Sequence, residues 1–305
     1  MWKKLAVICA ALLGALCIAS CMGPDQQTKV EESAPGPPLK IYCSFLPVYC
    51  FTANVITSRK NISLEVVIRD DMSNPSLCRV SEERAKEVAA ADMLIINGLG
   101  IDAFLVDAVS KVNPNIKILD CSSGIEAFNL KNPSSSLNPY VWMSPRKAIL
   151  QVRNIQKAIG EIDREGAKEI NKQADKYVKI LEGLGDSLDK AVKDASNRRV
   201  VLEGDIFDYL ARDYGLEVVG NITLNKAERS NALESLKDLV TAQKVQAVFL
   251  EAGTAVSPQK EKALHEGLPL FYLATMQSGS TYPDAYDAMM KKNITFVKAA
   301  LQGSR

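Results

Sequence analysis

The chain predicts an α/β fold of two lobes, each a parallel sheet flanked by helices, joined by one long linking α-helix. Three observations carry this. Short apolar runs alternate with amphipathic segments in the first half. The same alternation returns in the second half. Between the halves, Ile170, Ala174, Tyr177, Leu181, Leu184, Leu188, Ala191 and Ala195 recur at steps of four and three. Strand-helix alternation of this length builds parallel sheets covered by helices, and a sustained helical stripe builds one amphipathic helix.

The elements follow in order. Met1-Trp2-Lys3-Lys4 precede an apolar run from Leu5 to Ala19. That is a secretory signal, because a membrane span needs about 20 apolar residues. The run ends Ile18-Ala19-Ser20-Cys21, small residues before a cysteine, which resembles a bacterial lipobox. Residues 1–20 therefore read as a lipoprotein signal peptide and Cys21 as the lipidated residue, so the product is exported and anchored at the membrane. Residues 21–39, rich in Pro, Gly and Gln, cannot bury a core and read as a flexible tether.

An N-terminal lobe spans 40–163. Its strands are expected at Ile41 to Ser44, Leu64 to Ile68, Met93 to Asn97 and Ile116 to Asp120. Its helices are expected near Val48 to Ser58, Glu82 to Ala91, Ala103 to Val112 and Pro145 to Ile162. Ser81 caps the second of these, and Ser144-Pro145 caps and opens the last. The linking helix occupies 164–197, roughly Glu165 to Ser196. Gly183 and Gly185 each weaken it by about 1 kcal/mol relative to alanine, so a two-helix hairpin broken there is the alternative. A C-terminal lobe spans 198–305. Its strands are expected at Arg199 to Glu203, Glu217 to Gly220, Ala247 to Glu251 and Leu268 to Leu273. Its helices are expected near Ile206 to Tyr214, Asn231 to Gln243, Pro258 to His265 and Asp284 to Gln302.

The balance of 37 basic and 36 acidic residues gives no sign of a nucleic-acid partner. A monomer is expected. Of seven cysteines, Cys9, Cys17 and Cys21 fall in the export segment, leaving Cys43, Cys50, Cys78 and Cys121. An exported compartment permits disulfides, but spacing does not pair them.

Asn138-Pro139-Tyr140-Val141-Trp142-Met143-Ser144-Pro145 resembles a signature of the bacterial cluster A-I solute-binding proteins, the zinc and manganese receptors of ABC importers. In that family the segment usually reads Asp-Pro-His-Val-Trp-Leu-Asp-Pro. Ser44-Phe45-Leu46-Pro47 resembles the family's first strand-to-helix turn, and Ala91 to Gly98 the strand after its first metal loop. Phe207-Asp208-Tyr209-Leu210 through Tyr214-Gly215-Leu216 resembles the start of its second lobe. The resemblance implies a lipid-anchored, extracytoplasmic receptor that partners a membrane permease and carries zinc or manganese. It also implies little hinge motion, because a straight helix links the lobes.

It further implies four ligand positions in the cleft. Counting back from Asp92 places Pro75 on the proline of the first Pro-His motif and Ser76 on its histidine. The second position is Tyr140. The third is Gly204, with Glu203 and Asp205 on either side. The fourth is Ala274, beside Thr275. Zinc and manganese require nitrogen or oxygen donors, and none of these four residues clearly supplies the expected one. The single histidine, His265, falls in an expected surface helix beside Glu266. Cys43, Met72, Cys78, Met143 and Met276 are soft donors that suit copper(I), and equally are ordinary apolar fillers. Asp70-Asp71 offer oxygen ligands but read as solvated. Ser76, Arg79, Tyr140, Asp205 and Thr275 suit a small organic ligand.

The leading expectation is thus a receptor whose zinc or manganese site is lost or altered. The alternative is an adhesion or small-molecule-binding lipoprotein that keeps the fold without metal. No enzyme is expected: nothing places His265 beside a nucleophile, and Gly98 and Gly100 lack the further spacing of a dinucleotide loop.

Overall fold

The computed structural model describes residues 38–68, 78–131, 136–222, 229–252, 268–277 and 279–303. Two four-stranded parallel sheets form its frame. The first holds β1 (Leu39–Cys43), β2 (Ile62–Val66), β3 (Met93–Ile96) and β4 (Ile118–Asp120), in the order β2-β1-β3-β4. The second holds β5 (Arg199–Glu203), β6 (Glu217–Ile222), β7 (Ala247–Glu251) and β8 (Leu270–Leu273), in the order β6-β5-β7-β8. The two orders are the same. In each sheet the chain steps outward from a central pair, first to one side and then to the other. The gap between the two central strands, β1 and β3 or β5 and β7, is therefore a topological switch point. Crevices beyond the carboxyl ends of strands at such points are where open α/β sheets bind ligands.

Helices cover the sheets: α1 (Leu46–Ile56), α2 (Glu82–Ala89), α3 (Ala103–Val112), α4 (Pro145–Ile162), α5 (Ala167–Lys193), α6 (Asp208–Tyr214), α7 (Arg229–Ala242) and α8 (Ala285–Leu301). Ser81 caps α2 as expected, its hydroxyl accepting from Arg84 N at 3.2 Å. Ser144 stands at the N-cap of α4 but makes no side-chain cap bond. Its hydroxyl instead donates to Asp213 Oδ2 at 2.6 Å, so a carboxyl distant in sequence takes the hydroxyl that a local cap would use. The expected helix near Pro258 to His265 lies outside the described residues.

α5 runs unbroken through Gly183 and Gly185, which removes the hairpin alternative. Gly185 has a packing reason: a Cβ there would lie 3.1 Å from the Tyr214 hydroxyl. The α5 stripe is buried as its period requires, and it packs against α1, α4 and α8. One continuous core therefore runs from the first sheet, across α5, into the second. At the turn from α4 into α5, Arg59 clamps the buried Asp163 through two bonds of 2.6 and 3.0 Å, while Gly166 N donates to the same carboxylate at 3.2 Å. No helix among the described residues is long and apolar enough to cross a membrane.

Candidate functional site

The segment 138–145 joins the two sheets at the cleft. Asn138 is fully buried; its Oδ1 accepts from Tyr140 N at 3.0 Å and its Nδ2 donates to the Asp205 carbonyl at 2.9 Å. The Tyr209 hydroxyl donates to the Asn138 carbonyl at 2.8 Å. Val141–Met143 form a single 3₁₀ turn. Within it the Trp142 ring meets Phe45 and Tyr140 edge-on, at 5.2 and 5.4 Å. Its indole N–H donates to the Thr275 carbonyl at 2.8 Å, and its own carbonyl accepts from Tyr286 at 2.7 Å. Trp142 thus ties the signature segment to the loop after β8.

The switch point of the second sheet is polar. Glu203 and Glu251 end β5 and β7. Glu203 Oε2 accepts from Glu251 N at 2.8 Å, and Glu251 Oε1 accepts from the Thr275 hydroxyl at 2.7 Å. Tyr140 stands half-buried beside them and takes a hydrogen bond from the Gln277 amide. Burial raises the Tyr140 phenol above its ordinary range, and the charges of Glu251 and Asp205 add to that. It is a neutral hydroxyl in a negative field.

Gly204 follows Glu203 at φ +62°, and no atom lies within 4 Å of a Cβ placed there. Its carbonyl accepts from the Asn221 amide. Asp205 pairs with Lys131 at 3.1 Å, and Lys131 also reaches Asp208 at 2.7 Å. Ala274 offers only its backbone: Asn293 accepts from its N–H at 2.9 Å and donates to its carbonyl at 2.8 Å. Met276 is buried at φ +61°, a left-handed conformation costly for a residue with a Cβ.

The soft-donor reading meets a physical obstacle. Cys43 is fully buried, and its thiol donates to Thr52 Oγ1 at 3.3 Å. Burial pushes it up to about 12, as it does for Cys50, so both stay protonated whereas a metal needs a thiolate. Met143 is fully buried in the core. Cys78 is half-buried, beside the exposed Arg79, whose Nη1 donates to the Cys78 carbonyl at 2.7 Å. Among the described residues, Cys43, Cys50 and Cys121 are buried free thiols. Ser76, Met72, Asp70, Asp71, His265 and Cys21 lie outside the described residues. Among the described residues, no three His, Cys, Asp or Glu side chains gather closely enough to hold a metal ion.

The structure therefore brings Tyr140, Glu203, Asp205 and Thr275 together near the ends of β5 and β7. Two neighbours, Glu251 and Gln277, escaped the sequence reading. Glu251 had a signal: it ends β7 as Glu203 ends the adjacent β5. Gln277 had none.

Residues 41–300 match the family described as zinc-uptake complex component A, periplasmic. The chain belongs to this family. Among its relatives, the manganese-binding lipoprotein MntA of Halalkalibacterium halodurans is 25% identical, covering 98% of this chain and 100% of the relative. The high-affinity zinc uptake system protein ZnuA of Bacillus subtilis is 22% identical, covering 98% of each chain. The fold agrees with solved members. The solute-binding protein FpvC of P. aeruginosa, solved in complex with Ni2+, superposes with a TM-score of 0.74 at 23% identity, covering 88% of this chain and 98% of that one. The zinc-bound ZnuA-like domain of Streptococcus pneumoniae AdcA superposes with a TM-score of 0.73 at 20% identity, covering 88% and 100%. The family is one of solute-binding receptors of metal-uptake ABC transporters.

Proposed function

We propose that this protein is a lipid-anchored, extracytoplasmic receptor that passes cargo to an ABC permease, with an altered zinc and manganese site. Cys21 carries the lipid, and the stretch between it and β1 is the tether. Lobes at 40–163 and 198–305 enclose the cleft, with 164–197 between them.

The family match and the lipoprotein relatives support the receptor reading. The observation that carries the altered site is the donor set at the cleft. Tyr140, Gly204 and Ala274 stand at ligand positions inferred by resemblance, and only Tyr140 has a side-chain oxygen, a phenol whose raised pKa makes it a poor ligand. The oxygens that do converge, from Glu203, Glu251 and Thr275, bond one another or the backbone of β7. Zinc at four-coordinate sites requires several nitrogen, sulfur or carboxylate ligands at about 2.0–2.3 Å.

Metal analysis of the purified protein, joined to thermal unfolding with zinc and manganese, tests this. A bound ion at a hundred times its dissociation constant adds about 2.7 kcal/mol of stability. We expect no such gain with either ion. A micromolar or tighter response to zinc or manganese would show an intact site and overturn the altered-site reading.

A further inference from the structure

The stretch of chain that leads into the signature segment grips α6, the helix that follows β5 of the second sheet. Within that stretch, Asn129 and Leu137 form an antiparallel bridge. Phe128 stacks on Tyr209 of α6 with ring centroids 4.2 Å apart, and the Arg212 guanidinium lies over the same Phe128 ring at 5.1 Å. Ile125, Val141 and Tyr209 close a small apolar cluster, separate from the main core. One residue before Tyr209, the chain sets a cation between two carboxylates. Lys131 Nζ lies 3.1 Å from Asp205 Oδ1, and 2.7 and 2.8 Å from the two oxygens of Asp208. The Lys131 backbone N–H also donates to Asp205 Oδ1 at 3.4 Å.

The two carboxylates are largely buried, with side chains 15% and 13% exposed, whereas Lys131 is 46% exposed. Burial raises the Asp208 carboxyl above its ordinary range, Lys131 opposes the rise, and Asp205 adds to it. Without the ammonium, two like charges would stand together with little water between them. An ammonium has three donors and serves both carboxylates at once. Isolated surface pairs contribute little, but a network of several charges is the exception. The metal positions implied by resemblance lie on the same two stretches of chain: Tyr140 follows the one that carries Lys131, and Gly204 precedes Asp205. A metal held by both stretches would join them. Lys131 joins them already, with no ligand from outside.

We propose that Lys131, shared between Asp205 and Asp208, is a tethered cation that latches the stretch before α4 onto α6 and so controls the opening of the cleft between the two sheets. Opening requires the Lys131 pairs, the 2.9 Å bond from Asn138 to the Asp205 carbonyl and the Phe128–Tyr209 stack to part together. Salt weakens the first of these, because exposed charges are screened beyond about 8 Å at physiological ionic strength and more closely as salt rises. The latch goes beyond the receptor reading and acts whichever cargo the cleft takes.

The test is amide hydrogen exchange of the full chain at low and high sodium chloride. Lys131→Met should speed exchange about tenfold at Val141, Met143, Asp208 and Ala211, the effect of losing a hydrogen bond to a charged group. Leu181 and Leu184 of α5 should exchange as in the wild type. Lys131→Arg keeps the charge and should restore most of the protection. High salt should speed the same four amides in the wild type and leave them unchanged in Lys131→Met. Wild-type exchange at those amides in Lys131→Met overturns the latch. Equal acceleration in α5 overturns it too, because the loss is then one of global stability. Salt sensitivity that survives in Lys131→Met overturns the shared ammonium as the join.

Discussion

The two lobes share a strand order and differ at its centre. At the switch point of the first sheet the chain buries its carboxylate. Asp102 is 1% exposed, and its carboxylate accepts from Asn97 N at 2.6 Å and Gly98 N at 3.2 Å. The Asn97 side chain donates to the Pro139 carbonyl and accepts from Gln151, which also donates to Ser122 Oγ. At the switch point of the second sheet the carboxylates of Glu203 and Glu251 are half-buried, while each lobe keeps a buried amide oxygen without a hydrogen-bond partner among the described residues, Gln151 Oε1 in the first and Gln277 Oε1 in the second. The same topology thus supports a fully buried carboxylate in one lobe and half-buried carboxylates in the other. The first network is shielded from water, and the second is partly reached by it.

Substitutions can break or sharpen this contrast. The largest expected effect is at Asp102. Asp102→Ala strands two buried N–H groups at roughly 1–3 kcal/mol each, so urea unfolding should show a loss of about 4 kcal/mol. A loss below about 1 kcal/mol would mean that the first switch point does not depend on this carboxylate.

Next is pH. Burial raises the Asp102 carboxyl from 3.8 to about 6. Because the folded value is the higher one, folding favours the protonated form. Its contribution is therefore full below about pH 4 and is lost as pH rises through 6. At 1.36 kcal/mol per unit this amounts to about 3 kcal/mol. Stability curves of the wild type and of Asp102→Asn should diverge across that window. Parallel curves would contradict it.

In the second lobe the effects shrink. Gly204→Ala meets no neighbouring atom but must hold φ +62°, so it should cost about 1–2 kcal/mol. A neutral result would show that the loop after β5 relaxes freely. Smallest is Gln277→Leu, which removes an unmatched acceptor along with the bond to Tyr140. Its thermal midpoint should move by less than about 1 kcal/mol equivalent. A loss comparable to that of Asp102→Ala would make the second switch point a structural network like the first.

The fold was legible because its signals are local. β5, β7, α3 and α4 begin and end where the sequence pattern places them, since β-rich apolar runs and helical stripes are set by neighbours in the chain. Ser81 was legible for the same reason. Ser144 was misread as a side-chain cap because Asp213, distant in sequence, takes its hydroxyl. The site was legible only in part. Tyr140 announced itself by its place in a motif. The third position stayed ambiguous among Glu203, Gly204 and Asp205, and no counting resolves such a register. In the folded chain Glu203 bonds the backbone of β7, Gly204 takes up a left-handed turn, and Asp205 pairs with Lys131.

The sequence alone determined two α/β lobes, an unusually long helix between them and membership of a receptor family, because periodicity and contiguous motifs are properties of short stretches of chain. Only the tertiary structure decided that Glu251, Thr275, Gln277 and Tyr140 meet in one corner, and that Cys43 is a buried thiol. Those facts depend on which strand ends lie side by side and on how much water burial removes, and neither is written in the spacing of residues.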